Sequence, residues 1–184
     1  TGALPVKEGD QIIPFINAEM QKGYDLVVAT QDWHPATHKS FASQHKGKKP
    51  FDVVQLNGID QILWPDHCVQ GTFGAKLHKD LDIRPISAIF RKGMNSKIDS
   101  YSAFFDNQNL KETGLDGYLK GLHLDELHFA GLAADYCVYF SMIDALNLGY
   151  KVFLHEHCTR AISKEQFENQ KKELIAYPNF TLLP

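Results

Sequence analysis

The sequence predicts an α/β fold, a doubly wound and mostly parallel sheet with helices on both faces. Three observations predict it. From residue 86 onward, strand-like runs alternate with helical segments, which is the pattern of crossover connections in a parallel sheet. The apolar run DLVVATQ at 25–31 has a β-branched centre and polar ends, as a short buried strand does. Composition is that of an ordinary globular chain, with 43% hydrophobic and 22% charged residues over 184 positions.

Taken in order, the segment 10–22 places Ile12, Ile13, Ile16 and Met20 on one helical face, and Gly23 follows as a stop. Pro14 is tolerated there only near the first turn. After the strand at 25–31, a stretch from about 32 to 85 carries Gly, Pro and His with little periodicity, interrupted by apolar pieces at Val53–Leu56 and Ile62–Trp64. Long segments of this kind are commonly functional loops. Regularity returns with a strand at 86–91, a helix near 113–121, a strand at 126–132 and a helix from about 134 to 148 that Gly149 closes. A strand at 150–156, a helix at 164–176 and a last strand, NFTLL, complete the pattern. Ligands of such sheets bind outside the carboxyl ends of the strands. Here that means Asp32, Arg91–Lys92 and Leu132–Cys137.

Length is that of one domain, 1–184, able to bury a core without staples. The net charge of -3 argues against a nucleic-acid partner. No apolar run approaches the roughly eighteen residues of a membrane span, and the chain opens on no signal segment, so a cytoplasmic location without membrane attachment is expected. Cys68, Cys137 and Cys158 are odd in number and show no Cys-x-x-Cys spacing, so reduced thiols are expected. The lysine cluster HKGKKP at 45–50 reads as a solvated loop.

Cys137 follows a strand by five residues and falls in the first turn of the next helix, where unpaired N–H groups favour an anion. The same amides can receive an oxyanion. On spacing alone a cysteine here is more often a small buried hydrophobe. Asp32 and His34, two apart past a strand, point the same way in extended geometry and could grip one cation. His67 in WPDHC could complete a set of two imidazoles and one carboxylate suited to zinc, iron(II) or manganese. His38 and His45 are further candidates. Lys92, at the end of its strand, reaches the same sheet edge or is simply an exposed lysine.

The segments ALPV (3–6), VVATQDWHPATHKSFAS (27–43), LWPDHCVQGTFGA (63–75), FRKGMNSKIDSYSAF (90–104), GLAADYCV (131–138) and GYKV (149–152) together resemble the nicotinamidases, a branch of the isochorismatase-like cysteine hydrolases. The resemblance spans nearly the whole chain, with its motifs in order, and implies that family's three-layer sandwich. It implies Cys137 as nucleophile and Lys92 as the cation that lowers its pKa. Asp32, His34 and His67 match the family's metal ligands, with zinc the first expectation, and His38 matches a histidine that ligates in some members. The ion is expected to hold a pyridine nitrogen. Amides of Ala133 and Cys137 match the oxyanion hole, beside a cis peptide expected between Leu132 and Ala133. Trp64, Tyr101 and Leu4 match positions around the flat ring.

Two departures accompany the match. Ala134 stands where Thr is common. The family's catalytic aspartate belongs to an Asp-x-Gln-Asn-Asp-Phe motif ahead of the segment matching GALPV, which these residues do not contain, so a first strand is expected to be missing before Thr1. The implied function is hydrolysis of nicotinamide to nicotinic acid and ammonia through a cysteine thioester, in NAD salvage, by a chain that could form a homo-oligomer. The alternatives are a cysteine amidohydrolase on another small amide such as an N-carbamoyl compound, a metal hydrolase in which the ion activates water, and a truncated chain that only binds a pyridine ligand.

Overall fold

The computed structural model describes residues 2–184. A short 3-10 turn at Gly9–Ile12 leads into α1 (Ile13–Met20), whose second residue is Pro14. Proline fits there because the first N–H groups of a helix have no intrahelical acceptor. The helix is shorter than the sequence predicts, ending at Met20, two residues before the expected end at 22. β1 (Val27–Asp32) follows, and Asp32 is its last residue rather than the first of a loop.

The 32–85 stretch holds more order than expected. β2 (Val53–Leu56) and β3 (Ile59–Ile62) form an antiparallel hairpin, with Leu56 opposite Ile59. Its turn is Asn57–Gly58, both at positive φ, 52° and 85°. That is the geometry which matches the strand twist, and Asn-Gly adopts it at low cost. Two isolated bridges, His34 to Val69 and Phe41 to Trp64, fasten the rest. His34 N–H donates to the Cys68 carbonyl at 3.0 Å and the His34 carbonyl accepts from Gln70 N–H at 2.9 Å. Trp64 N–H reaches Ser40 at 2.7 Å, and Ala42 N–H reaches Trp64 at 2.8 Å. Residues 38–42 and 64–70 are thereby laid against the end of β1.

β4 (Ile86–Lys92) pairs with β1 in parallel, and the register sets Gln31 beside Arg91 and Asp32 beside Lys92. After α2 (Leu115–Gly121), β5 (Glu126–Leu132) keeps the predicted bounds. The expected helix from 134 starts as one wide π-type turn, Ala134–Val138, and continues as α3 (Tyr139–Asn147). β6 (Lys151–Arg160) runs four residues past its predicted end, followed by α4 (Lys164–Ile175) and β7 (Phe180–Leu183).

The strands are parallel in two groups, β1–β4 and β5–β6–β7. Among the described residues no strand bonds the facing edges of β1 and β5. A cavity of about 730 Å³ lies between them, bordered by Val28, Phe129 and Cys137. Helices cover both faces of β6. Val152 and Leu154 join the core with Leu119, Met142, Phe167 and Leu174, drawn from α2, α3 and α4. The alternate residues His155 and His157 meet Glu19 and Phe15 of α1 on the other side. Among the described residues, no helix is long and apolar enough to cross a membrane.

Candidate active site

Because Asp32 and Lys92 are register partners, their side chains leave the sheet on one face. Lys92 Nζ lies 2.5 Å from Asp32 Oδ1. The approach is a charge contact outside hydrogen-bond angles, so this buried oxygen has no donor aimed at it. The ammonium donates to the Ser100 carbonyl at 2.8 Å and to Cys137 Sγ at 3.3 Å. One buried cation, only 4% exposed, thus stands between a carboxylate and a sulfur.

Burial opposes a charge on Lys92, but Asp32 and then Cys137 outweigh it, so the ammonium is held above the ordinary lysine range. Asp32 is held below the usual carboxylate range, since Lys92 and His34 overcome its own burial. For Cys137 the largest influence is burial, which pushes the thiol up; Lys92 pulls the other way without reversing it. The sequence reading expects an ionised sulfur. Burial works against that charge, and Lys92 stands ready to stabilise the thiolate once the proton is taken.

Cys137 gets its position from the turn after β5. The peptide between Leu132 and Ala133 is cis. Ala133 precedes the turn, and its carbonyl accepts from Tyr136 N–H and Val138 N–H, each at 3.1 Å. The start of a helix presents N–H groups with no intrahelical partner, which suits an anion. Asp135 carries no catalytic contact but is fully buried, and its two oxygens accept from Ile162 N–H at 2.9 Å and Ser163 N–H at 2.7 Å. The turn is thereby tied to the loop after β6.

Ligand atoms of Asp32, His34 and His67 lie within 4.8 Å of one another. His34 Nδ1 is 2.9 Å from the Gly93 carbonyl and His67 Nδ1 is 2.8 Å from the Pro65 carbonyl. A carbonyl only accepts, so both Nδ1 atoms carry the proton and both Nε2 lone pairs are left for a cation. Gly93 has φ of +65°, and a side chain there would collide with the His34 ring. Its lack of a Cβ is what lets its carbonyl orient that imidazole. Burial, then the neighbouring His34, pushes His67 down, which favours the neutral ligand form.

A second set, His34, His38 and Asp99, shares His34 and is wholly buried. Burial holds His38 at about 4, and its Nε2 is buried without a hydrogen-bond partner. His38 Nδ1 meets Ser40 Oγ at 2.7 Å and accepts Ser40 N–H at 3.2 Å. His45 joins neither set; its Nε2–H donates to the Lys39 carbonyl at 2.7 Å. The donor set therefore fits a divalent cation: two imidazoles with free Nε2 lone pairs, one carboxylate and an orphaned third imidazole nitrogen close by.

An aromatic wall adjoins these groups. Trp64 packs edge-on against Tyr136 with centroids 4.9 Å apart, against Tyr101 at 6.2 Å and against His67 at 6.5 Å. Trp64 Nε1–H and Gln61 Nε2–H both donate to the Tyr101 hydroxyl, at 3.3 and 3.1 Å. Gln61 also reaches Asp99 at 3.2 Å. Leu4, from the irregular segment ahead of α1, is half-buried and does not join the core. Sequence reasoning assigned no role to Tyr136, Gln61, Asp99, Asp135 or Gly93. The first neighbours Cys137, and the hairpin that carries Gln61 was signalled by Asn57–Gly58.

Residues 15–181 match the family described as the isochorismatase domain. The chain is 52% identical over 154 residues to the nicotinamidase of Escherichia coli (strain K12), covering 82% of this chain and 72% of that one. Among solved structures, a nicotinamidase and pyrazinamidase of Acinetobacter baumanii superimposes with a TM-score of 0.94 at 39% identity, covering 99% of this chain and 87% of the other. The pyrazinamidase of Pyrococcus horikoshii in complex with zinc gives 0.79 at 32% identity, covering 99% and 89%.

Proposed function

Because this chain belongs to the isochorismatase family, we propose that it is a nicotinamidase, which hydrolyses nicotinamide to nicotinic acid and ammonia through a thioester on Cys137 and so serves NAD salvage. The observation that carries the reading is Lys92 Nζ lying within 3.3 Å of Cys137 Sγ while it contacts Asp32, a member of the two-imidazole cluster.

Cys137 Sγ attacks the carboxamide carbon as its proton leaves, and Lys92 stabilises the developing thiolate. The family resemblance gives that proton to an aspartate of the Asp-x-Gln-Asn-Asp-Phe motif, which the 184 residues do not contain. The oxyanion is received by the amides of Ala133 and Cys137, and the same proton goes to the departing ammonia. Water then adds to the thioester, releasing nicotinic acid and restoring the thiol. Trp64 and Tyr101, with Tyr136, flank the ring and exclude water; Leu4 is assigned to the same pocket by resemblance.

Asp32, His34 and His67 would hold a divalent cation, with His38 the candidate for a further contact. Zinc is the first candidate because the Pyrococcus horikoshii relative contains it. When bound, the ion supplies a Lewis acid for a ring nitrogen. The residues themselves orient the imidazoles and keep Lys92 charged beside the sulfur. Ammonia release from nicotinamide by the full-length protein, with and without chelator, tests the reading. Release that chelator suppresses is expected. No release by the metal-loaded protein would overturn it.

A further inference from the structure

We propose that the cleft on the other face of β1 and β4 is a binding site for a small organic anion, a carboxylate or phosphate carried on a flat apolar body. Alternation along the paired strands separates the two sites. Asp32 and Lys92 face the catalytic sulfur, so their register-paired neighbours Gln31 and Arg91 face away. Gln31, Arg91 and Trp33 border a cleft of about 440 Å³, within the range of small-ligand pockets.

The Arg91 guanidinium lies over the Trp33 ring, its Cζ 3.8 Å from the centroid. Its Nε–H donates to Gln31 Oε1 at 3.2 Å, and Gln31 is fixed in turn by donating to the Ala75 carbonyl at 2.7 Å. The planar fork is thus held in one orientation, with its terminal N–H groups left for a ligand. Such a fork matches a carboxylate or phosphate. Lys76 and Lys79 supply further positive charge, and no carboxylate borders the cleft. Lys79 is paired with Asp80, whereas Arg91 and Lys76 enter no ion pair among the described residues. Leu77 and Leu81 give the apolar surface on which a flat body would rest. A neutral carboxamide gains nothing from this charge, so the cleft suits a different ligand from the one hydrolysed at Cys137.

The chain has two tryptophans, so ¹⁵N-indole spectra report on each face separately. Adenosine monophosphate and benzoate are titrated as the phosphate and carboxylate probes, with adenosine and inorganic phosphate as controls. Saturable movement of the Trp33 indole signal by either probe, with both controls weaker by about tenfold or more, is expected, and the probe that binds identifies the anion. Arg91→Gln, and separately Lys76→Gln on its irregular segment, should weaken binding by about tenfold while ammonia release is unchanged. Failure of both probes to bind at millimolar concentration overturns the proposal. So does equal binding by adenosine or by inorganic phosphate, or binding that neither substitution weakens.

Discussion

Lys92 Nζ stands 3.3 Å from Cys137 Sγ, so the charge donating to the sulfur is a buried ammonium whose own charge is secured by Asp32. Lys92→Met should therefore raise the Cys137 thiol further, because the stabilising cation goes while Asp32 remains. Loss of about 10²- to 10⁴-fold in kcat/KM is expected. Iodoacetamide alkylation of Cys137 at fixed pH should slow in parallel. Unchanged alkylation would mean that the contact does not tune the sulfur.

Gly93→Ala should disturb the metal centre without touching a ligand. The new methyl group would meet the His34 ring and strain a backbone at φ +65°. Its carbonyl would then lose its hold on His34 Nδ1. Zinc affinity measured by calorimetry is expected to fall about 10- to 100-fold. Wild-type affinity would show that the carbonyl contact does not orient the ligand.

Much of this site was legible because its main residues punctuate regular elements. Asp32 ends β1, Lys92 ends β4, and Cys137 follows β5, so the rule that ligands bind beyond strand ends brought three distant segments to one edge. The 32–85 stretch was less legible. His34 and Val69 are joined by a single bridge, as are Phe41 and Trp64, and one bridge leaves no periodicity in sequence. Asp99 lies close to His34 and His38, and Gln61 donates to it from a distant segment, contacts that leave no local pattern. The Asn57–Gly58 turn was the one local sign of the hairpin, and apolar runs alone did not reveal it. The division of the strands into two groups accords with the expectation, drawn from the resemblance, of a sheet that lacks one strand among these residues.

Asp135→Ala should destabilise the fold rather than alter chemistry directly. The amides of Ile162 and Ser163 would lose their acceptors in a buried setting. Orphaning two such donors costs on the order of 3 kcal/mol. Urea unfolding measures it, and a midpoint equal to wild type would remove the anchoring role from Asp135.

Cys158 sets an alkaline limit. Burial, then the charge of Glu19, pushes its thiol up to about 11 from an ordinary 9.0. The folded state holds this proton more tightly than the unfolded one, so the contribution to stability is full below pH 9 and is lost as pH rises through about 11. Melting temperatures of wild type and Cys158→Ala between pH 8 and pH 11 isolate it. The variant should show the smaller fall; equal falls would contradict the assignment.

The most direct measurement is rapid quenching of full-length, metal-loaded protein with nicotinamide, followed by intact mass and peptide mapping. A nicotinoyl group on the Cys137 peptide is expected in wild type, and neither adduct nor ammonia in Cys137→Ala. Ammonia release that persists in Cys137→Ala, or an acyl group carried on another residue, would contradict the role given to this sulfur.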